Sequence, residues 1–397
     1  MEIIKGKTEA LPKDTGYDES RIEVLDKMFQ NMVERKLIHG ASYCISHKGK
    51  VIASGAVGED NGAEAGTLMQ PDTVFGVASI TKTFTATAIM QLVEDGLMRL
   101  DTPVGEILPQ FARKPFDDIQ VWHLLTHTSG LYPDENCFPE AAPKSAWELI
   151  CEAEKLWDKT GEFDWISAGI SGGLRVPVGT QWQYSSFGFT ILGEIISKVS
   201  GQDVHEYIEE HITRRLSMKD SGFCYTKEAA GRSFYWNEEG KQILGKIALG
   251  ELDGRPRDGS IWDKIPDTGG GLHATAYDLV RFGNAFVYGG RFDGARLLGR
   301  KAVEKMSTIQ LHHIPDYCWG AREENRLYGV GFDMRQGPAY TYSEGTIMHE
   351  GAGACSLDID PREELVAAWF VPFNQVENGW SAEPLYNIQN IIWSGLI

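Results

Sequence analysis

The sequence predicts an α+β fold, with one sheet built from both ends of the chain and a mainly helical middle. Three observations predict it. Strand-like runs occur near the N-terminus, over residues 41–55, and return near the C-terminus, over residues 328–371. Residues 119–255 carry helix-like patterns with few strand-like breaks. At 397 residues the chain has room for two domains, or for one domain with a large insertion. The expected division is 1–100 together with 256–397 for the sheet part, and 101–255 for the helical insertion.

The elements follow in order. Residues 18–37 place Ile22, Leu25, Met28, Phe29, Met32 and Val33 at helical spacing, which predicts an amphipathic helix. Gly40 to Gly58 reads as a hairpin turning at His47-Lys-Gly-Lys50. A loop then leads to an apolar helical stretch from Thr81 to Leu97. Helix-like patterns span residues 119–125, 145–159, 186–200 and 204–216. Gly269-Gly-Gly271 precedes a helix over 275–287, with Thr275 as its expected N-cap. A short helix is expected at 301–308. Strand-like runs follow at 328–334, 346–349, 354–360 and 364–371, the last apolar enough for a central strand, with Trp369 in the core. A closing helix is expected over 382–393.

Composition excludes several classes. A formal charge of −18 disfavours nucleic acid and anionic membranes as partners. No apolar run reaches the roughly 18 residues a membrane-spanning helix needs. Residues 1–14 mix charge and polarity without an apolar core, so the expected location is cytoplasmic. The six cysteines are scattered without a C-x-x-C pair, and reduced structural thiols are expected.

The chemistry concentrates at Ser79-Ile-Thr-Lys82, the only Ser-x-x-Lys in the chain. On a helix, residues three apart are neighbours, so the spacing sets an amine beside a hydroxyl. A serine hydroxyl attacks well only when a base takes its proton. Lysine can be that base if its pKa falls from about 10.4 toward 7, a cost of roughly 4 kcal/mol to the charged form. Burial and a helix N-terminus both push that way. The same N-terminus offers N–H groups to an oxyanion.

Two further segments could converge on it. Gln183-Tyr184-Ser185-Ser186 sits in a turn before a helix, where a tyrosine near Lys82 can pass or accept a proton. His349-Glu350-Gly351 leads into Ala352-Gly353-Ala354 on a late strand. Its small residues permit close approach, and the Ala352 N–H is a second oxyanion donor opposite that of Ser79.

In order and rough spacing, Ser79-Ile-Thr-Lys82, Tyr184-Ser-Ser186 and His349-Glu-Gly351 resemble the serine β-lactamase and penicillin-binding superfamily. The likeness is nearest to class C β-lactamases, family VIII esterases and DD-peptidases, and covers about residues 20–395. Phe75 to Thr85, Leu124-Leu-Thr-His-Thr-Ser-Gly-Leu131 and Gly270 to Leu279 support it. The resemblance implies an antiparallel sheet flanked by helices with an inserted all-α domain, and an active site between the two. It implies Ser79 as the acylated nucleophile, Lys82 and Tyr184 as the proton-handling pair, and the Ser79 and Ala352 N–H groups as the oxyanion hole.

Two departures shape the expected substrate. Ser186 stands where β-lactamases of this class have the asparagine of Tyr-x-Asn, and lacks its two-ended amide. His349-Glu350-Gly351 replaces Lys-Thr-Gly, so a fixed cation becomes a histidine that is mostly neutral near pH 7. Both changes weaken recognition of a β-lactam or a terminal carboxylate. The expected activity is therefore esterase-like or amidase-like on a small ester, amide or lactam, with weak β-lactamase activity. The alternatives are a D-amino-acid peptidase or amidase, with Glu350 binding a substrate ammonium, a DD-peptidase, or a ligand-binding protein without turnover. Ser186, His349, Glu350, Gly351, Trp262 and Trp319 are the candidate substrate contacts. No cofactor or metal is implied, and oligomeric state is left open. Asp267-Thr-Gly269 lacks the second copy an aspartic protease needs. His123 and His127 lack the intervening glutamate of a zinc motif, and His127 is expected to organise its Thr-His-Thr-Ser-Gly turn.

Overall fold

The computed structural model describes residues 1–59, 67–138, 144–373 and 385–397. Its main sheet starts from the hairpin Gly40–His47 and Lys50–Gly58. Lys48 and Gly49 form the turn with φ of 51° and 70°, the left-handed pair that matches strand twist in a two-residue connection. Leu365–Phe370 pairs antiparallel with the first hairpin strand, setting Trp369 opposite Tyr43. Cys355–Asp360 and Ile347–Gly351 follow outward, both antiparallel. The two-residue strand Ile4–Lys5 closes the opposite edge, completing a six-stranded antiparallel sheet.

Both faces of the sheet are covered, and the strand pattern shows why. Along Leu365–Phe370, Leu365, Ala367 and Trp369 enter one core, while Val366, Ala368 and Phe370 enter the other. Alternate side chains point to opposite faces, so a continuously apolar strand requires a layer on each side. One layer is the helices Glu19–Glu34 and Leu385–Trp393. The first is capped by Asp18, whose carboxylate accepts from Ser20 N at 2.9 Å. The opposite layer begins with the helix Ala276–Val287, capped by Thr275 as expected. Gly283 lets it lie close, since a Cβ there would stand 2.5 Å from Val366 Cγ1. Phe282 stacks on Phe84 at 4.1 Å, joining this layer to the helix Thr81–Glu94.

Between residues 101 and 255 the described regular structure is helical, the longest helix being Ser186–Ser200. The 204–216 pattern becomes two pieces, Val204–Ile208 and a π-helical turn Glu209–Thr213. The expected strand over 328–334 does not form. Gly331 is left-handed, with φ of 73°, and a Cβ there would meet Ala86 Cβ at 2.3 Å. The segment bends onto the Thr81–Glu94 helix and keeps only isolated bridges, such as Asp333 to Met348. The expected helix start at 382–384 lies outside the described residues. Among the described residues, no helix is long and apolar enough to cross a membrane.

Candidate active site

Ser79 stands in the 3-10 turn Ala78–Ile80, which runs straight into the helix Thr81–Glu94. Side chains three apart eclipse in such a turn, so Lys82 still lies over Ser79. Ala78 has a φ of 45°, a left-handed conformation costing a residue with a Cβ about 1–2 kcal/mol. The surroundings hold it there. A Cβ on Gly351 would fall 2.3 Å from Val77 O, and Cys355 Sγ donates to the same carbonyl at 3.5 Å. On the other side Val77 N donates to Leu272 O at 2.9 Å. The end of the edge strand, Gly351-Ala352, is thereby pressed against the residues before Ser79.

The Lys82 amine is fully buried and has three close oxygen neighbours. Ser79 Oγ lies at 3.0 Å, Ser186 Oγ at 3.0 Å and Gly269 O at 2.7 Å. The Tyr184 ring lies 4.8 Å below it. Gly269 reaches the amine because residues 268–269 thread between two helices. Thr85 Oγ1 donates to Thr268 O at 2.8 Å, and Thr268 Oγ1 donates to Phe189 O at 2.9 Å. A Cβ on Gly269 would lie 2.9 Å from Ser186 O, so only glycine passes easily. Burial lowers the Lys82 pKa to about 8, against the opposing pull of the Asp134 and Asp267 carboxylates.

Tyr184 is held by His127. Gln183 N donates to His127 O at 2.8 Å, and Ser185 N donates to His127 Nδ1 at 3.1 Å. The His127 ring packs 4.6 Å from that of Tyr184. Burial, then the nearby Asp134 carboxylate, push the Tyr184 phenol well above its usual range, and the Ser79 side chain partly offsets this. Ser79, Tyr184 and Ser186 are each half-buried, so the cluster opens to solvent while Lys82 does not.

The expected substrate contacts divide. Trp319 packs on Tyr184 at 5.2 Å and is 56 % exposed, at the rim of the cluster. Trp262 sits 6.4 Å from Trp147, and its link to the cluster runs through Trp147 and Phe187. His349 is buried and its Nδ1 bonds Glu350 O at 2.7 Å. Burial, then the Lys82 charge, lower its pKa to about 4, so its ring is neutral at pH 7. Glu350 faces away and meets both terminal nitrogens of Arg335, at 3.0 and 2.5 Å. Its carboxylate is thus already occupied by a cation. Ser186 is occupied too, donating through Oγ to Asp134 Oδ2 at 2.6 Å while Lys82 donates to it.

Asp134, Gly269 and Arg335 were not singled out by the sequence. Asp134 lies three residues beyond the Leu124 to Leu131 phrase, and Gly269 belongs to the Gly269-Gly-Gly271 turn. Nothing in either position announces a partner on another element.

Comparison with known proteins bears on this arrangement. Esterase EstB of Burkholderia gladioli is 29 % identical over 214 residues, half of each chain, so this chain spans about half the length of that relative. Penicillin-binding protein 4 of Amycolatopsis lactamdurans is 28 % identical over 293 residues, 70 % of each. A penicillin-binding protein homologue from Caulobacter crescentus superposes with a TM-score of 0.70 at 18 % identity, covering 98 % of this chain and all of that one, which is a likeness of fold. The family model described as Beta-lactamase matches residues 25–382, nine-tenths of the sequence and a span that holds all three motifs, and on that match the chain belongs to the Beta-lactamase family.

Proposed function

We propose that the protein hydrolyses small esters or amides through a covalent acyl-enzyme on Ser79, with weak action on β-lactams. The observation that carries this reading is the solvent-reachable Ser79 hydroxyl 3.0 Å from a fully buried lysine amine. The two proton-handling groups are pushed in opposite directions, Lys82 down to about 8 and Tyr184 well up. Near neutrality Lys82 therefore has an accessible neutral form, and Tyr184 remains a phenol. Lys82 takes the Ser79 proton as Oγ bonds to the substrate carbonyl carbon. The N–H groups of Ser79 and Ala352 receive the oxyanion. Tyr184 passes a proton to the leaving oxygen or nitrogen, and the proton that Lys82 took from Ser79 replaces it on the phenol. Water then attacks the acyl carbon by the same route and releases the acid.

The preference for neutral substrates rests on charge. His349 is neutral at pH 7, and Arg335 is held by Glu350 and Asp333. No free cation is thereby supplied from this strand to a substrate carboxylate. The reading in which Glu350 binds a substrate ammonium loses its footing, because Arg335 holds that carboxylate. A fluorophosphonate probe followed by intact mass tests the nucleophile: one adduct is expected, lost in Ser79→Ala. A panel of p-nitrophenyl esters against a chromogenic cephalosporin tests the preference. Fast cephalosporin turnover with negligible ester cleavage overturns it.

A further inference from the structure

The Lys82 amine is held among oxygens whose hydrogen-bonding roles are not free to change. Gly269 O is a carbonyl and can only accept, so it takes one N–H of Lys82 at 2.7 Å. Ser186 Oγ could donate or accept. Its hydrogen is committed to Asp134 Oδ2 at 2.6 Å, because a carboxylate can only accept. Ser186 must therefore accept the second N–H of Lys82 at 3.0 Å. A neutral amine has two N–H bonds and one lone pair. With both N–H bonds consumed, the lone pair is left for the third neighbour, Ser79 Oγ at 3.0 Å.

We propose that Asp134, acting through the Ser186 hydroxyl, is the positioning residue that aims the Lys82 lone pair at Ser79. Its hold on this turn is threefold. Besides the Oδ2 contact, Asp134 Oδ1 accepts from Ser186 N at 2.8 Å, and Asp134 N donates to Tyr184 O at 2.9 Å. The carboxylate thus fixes the orientation of the hydroxyl, the hydroxyl fixes the orientation of the amine, and the amine faces the nucleophile. After Ser79 gives up its proton, the same three oxygens receive three N–H bonds, so the ammonium needs no rearrangement. An asparagine carbonyl at position 186 would accept from Lys82 on its own. Serine does so only while Asp134 holds its hydrogen, so the two residues work as a couple.

The proposal rests on Ser79 as the nucleophile, and the experiment separates the two claims. In Asp134→Asn, Oδ1 remains opposite Ser186 N, and the amide nitrogen replaces Oδ2. It donates to Ser186 Oγ, whose hydrogen then turns toward Lys82 and occupies the lone pair. Ester kcat should fall about 10²-fold with KM nearly unchanged, the scale of a misdirected general base. Loss of the negative charge also lowers the Lys82 pKa, so the acidic limb of kcat/KM moves to lower pH. Ser186→Ala keeps the backbone contact to Asp134 and gives a second readout. It should itself lower kcat about tenfold or more, and Asp134→Asn added to it should cost under about threefold more, since the effect travels through the hydroxyl. Ser186→Asn placed in Asp134→Asn should recover at least about tenfold by supplying the missing acceptor. An Asp134→Asn enzyme with unchanged kcat and pH profile, or equal losses with and without the Ser186 hydroxyl, overturns the inference while leaving Ser79 in place. If Ser79 of the unmodified protein takes no fluorophosphonate and cleaves no ester, the hydrolase reading falls first and the inference with it.

Discussion

Two buried cationic regions of this protein behave in opposite ways. Lys82 is surrounded by a carbonyl and two hydroxyls, with no carboxylate of the described residues in direct contact, and its pKa falls to about 8. Arg326 is buried and Arg335, its side chain 24 % exposed, is partly so, but they lie among Asp316, Asp333 and Glu350. Burial acts against their charge as well, yet the carboxylates outweigh it and both guanidinium pKa values rise. Burial alone therefore does not make a base. Withholding the counter-charge, in a side chain able to lose its proton, does. The Asp134 charge reaches Lys82 only across an intervening hydroxyl, which leaves the amine partly neutral rather than locked as an ion.

Removing each cation's function should expose this difference. Lys82→Met is expected to lower ester kcat/KM by about 10³-fold, within the range for loss of a general base. In the arginine cluster the main effect should be on stability. Glu350→Ala leaves Arg335 with a single carboxylate partner, Asp333, and should destabilise the fold by about 3 kcal/mol, read from urea titrations. The comparison fails if Glu350→Ala unfolds at the parent urea midpoint, or if Lys82→Met retains turnover.

Short-range features of this contrast were legible in the sequence, and long-range ones were not. Ser79 and Lys82 are three residues apart, and helical geometry places them together in any fold that keeps the helix. The 40–58 hairpin is similarly local. The partners that tune Lys82 come from far along the chain. Gly269 is 187 residues away, and Ser186, which links the amine to Asp134, is 104 away. No spacing rule connects them. The pairing of Glu350 with Arg335 hid for a related reason, since Arg335 follows the segment misread as a strand. The strand-like run over 328–334 suggested pairing, but Gly331 turns that segment against Ala86.

The shifted lysine also has a stability signature. Its pKa is about 8 in the folded chain and near 10.5 when unfolded. Between those values the unfolded chain binds more protons, so this group adds stability as pH rises through that window. Below pH 8 both states are protonated, and the full penalty, about 3 kcal/mol, is present. Lys82→Met carries no such penalty. Measured by urea titration, the difference between Lys82→Met and the parent should shift toward the parent from pH 7.5 to 10, by up to about 3 kcal/mol. A pH-independent difference would place the folded lysine near its ordinary value. Activity gives the matching curve: kcat/KM should rise with pH through an apparent value near 8, with roughly a tenth of the maximum at pH 7.

The smallest expected effect sharpens the comparison by adding a cation at a position that now holds a neutral ring. His349 faces the same interior as Lys82 and feels its charge, and its ring is neutral at pH 7. His349→Lys puts an amine there whose neighbouring carboxylates, Glu350 and Asp333, are already bound by arginines. That amine will resemble Lys82 more than the arginines, being only partly charged at neutral pH. Where charged, it offers a contact to a substrate carboxylate and should raise cephalosporin turnover relative to ester turnover about tenfold, or roughly 1.4 kcal/mol. It also repels the Lys82 ammonium, so the acidic limb of ester hydrolysis should move to lower pH. Both changes should appear together, because one positive charge causes both. Improved cephalosporin turnover with an unmoved ester limb would mean that the new side chain points out of the site, away from Lys82.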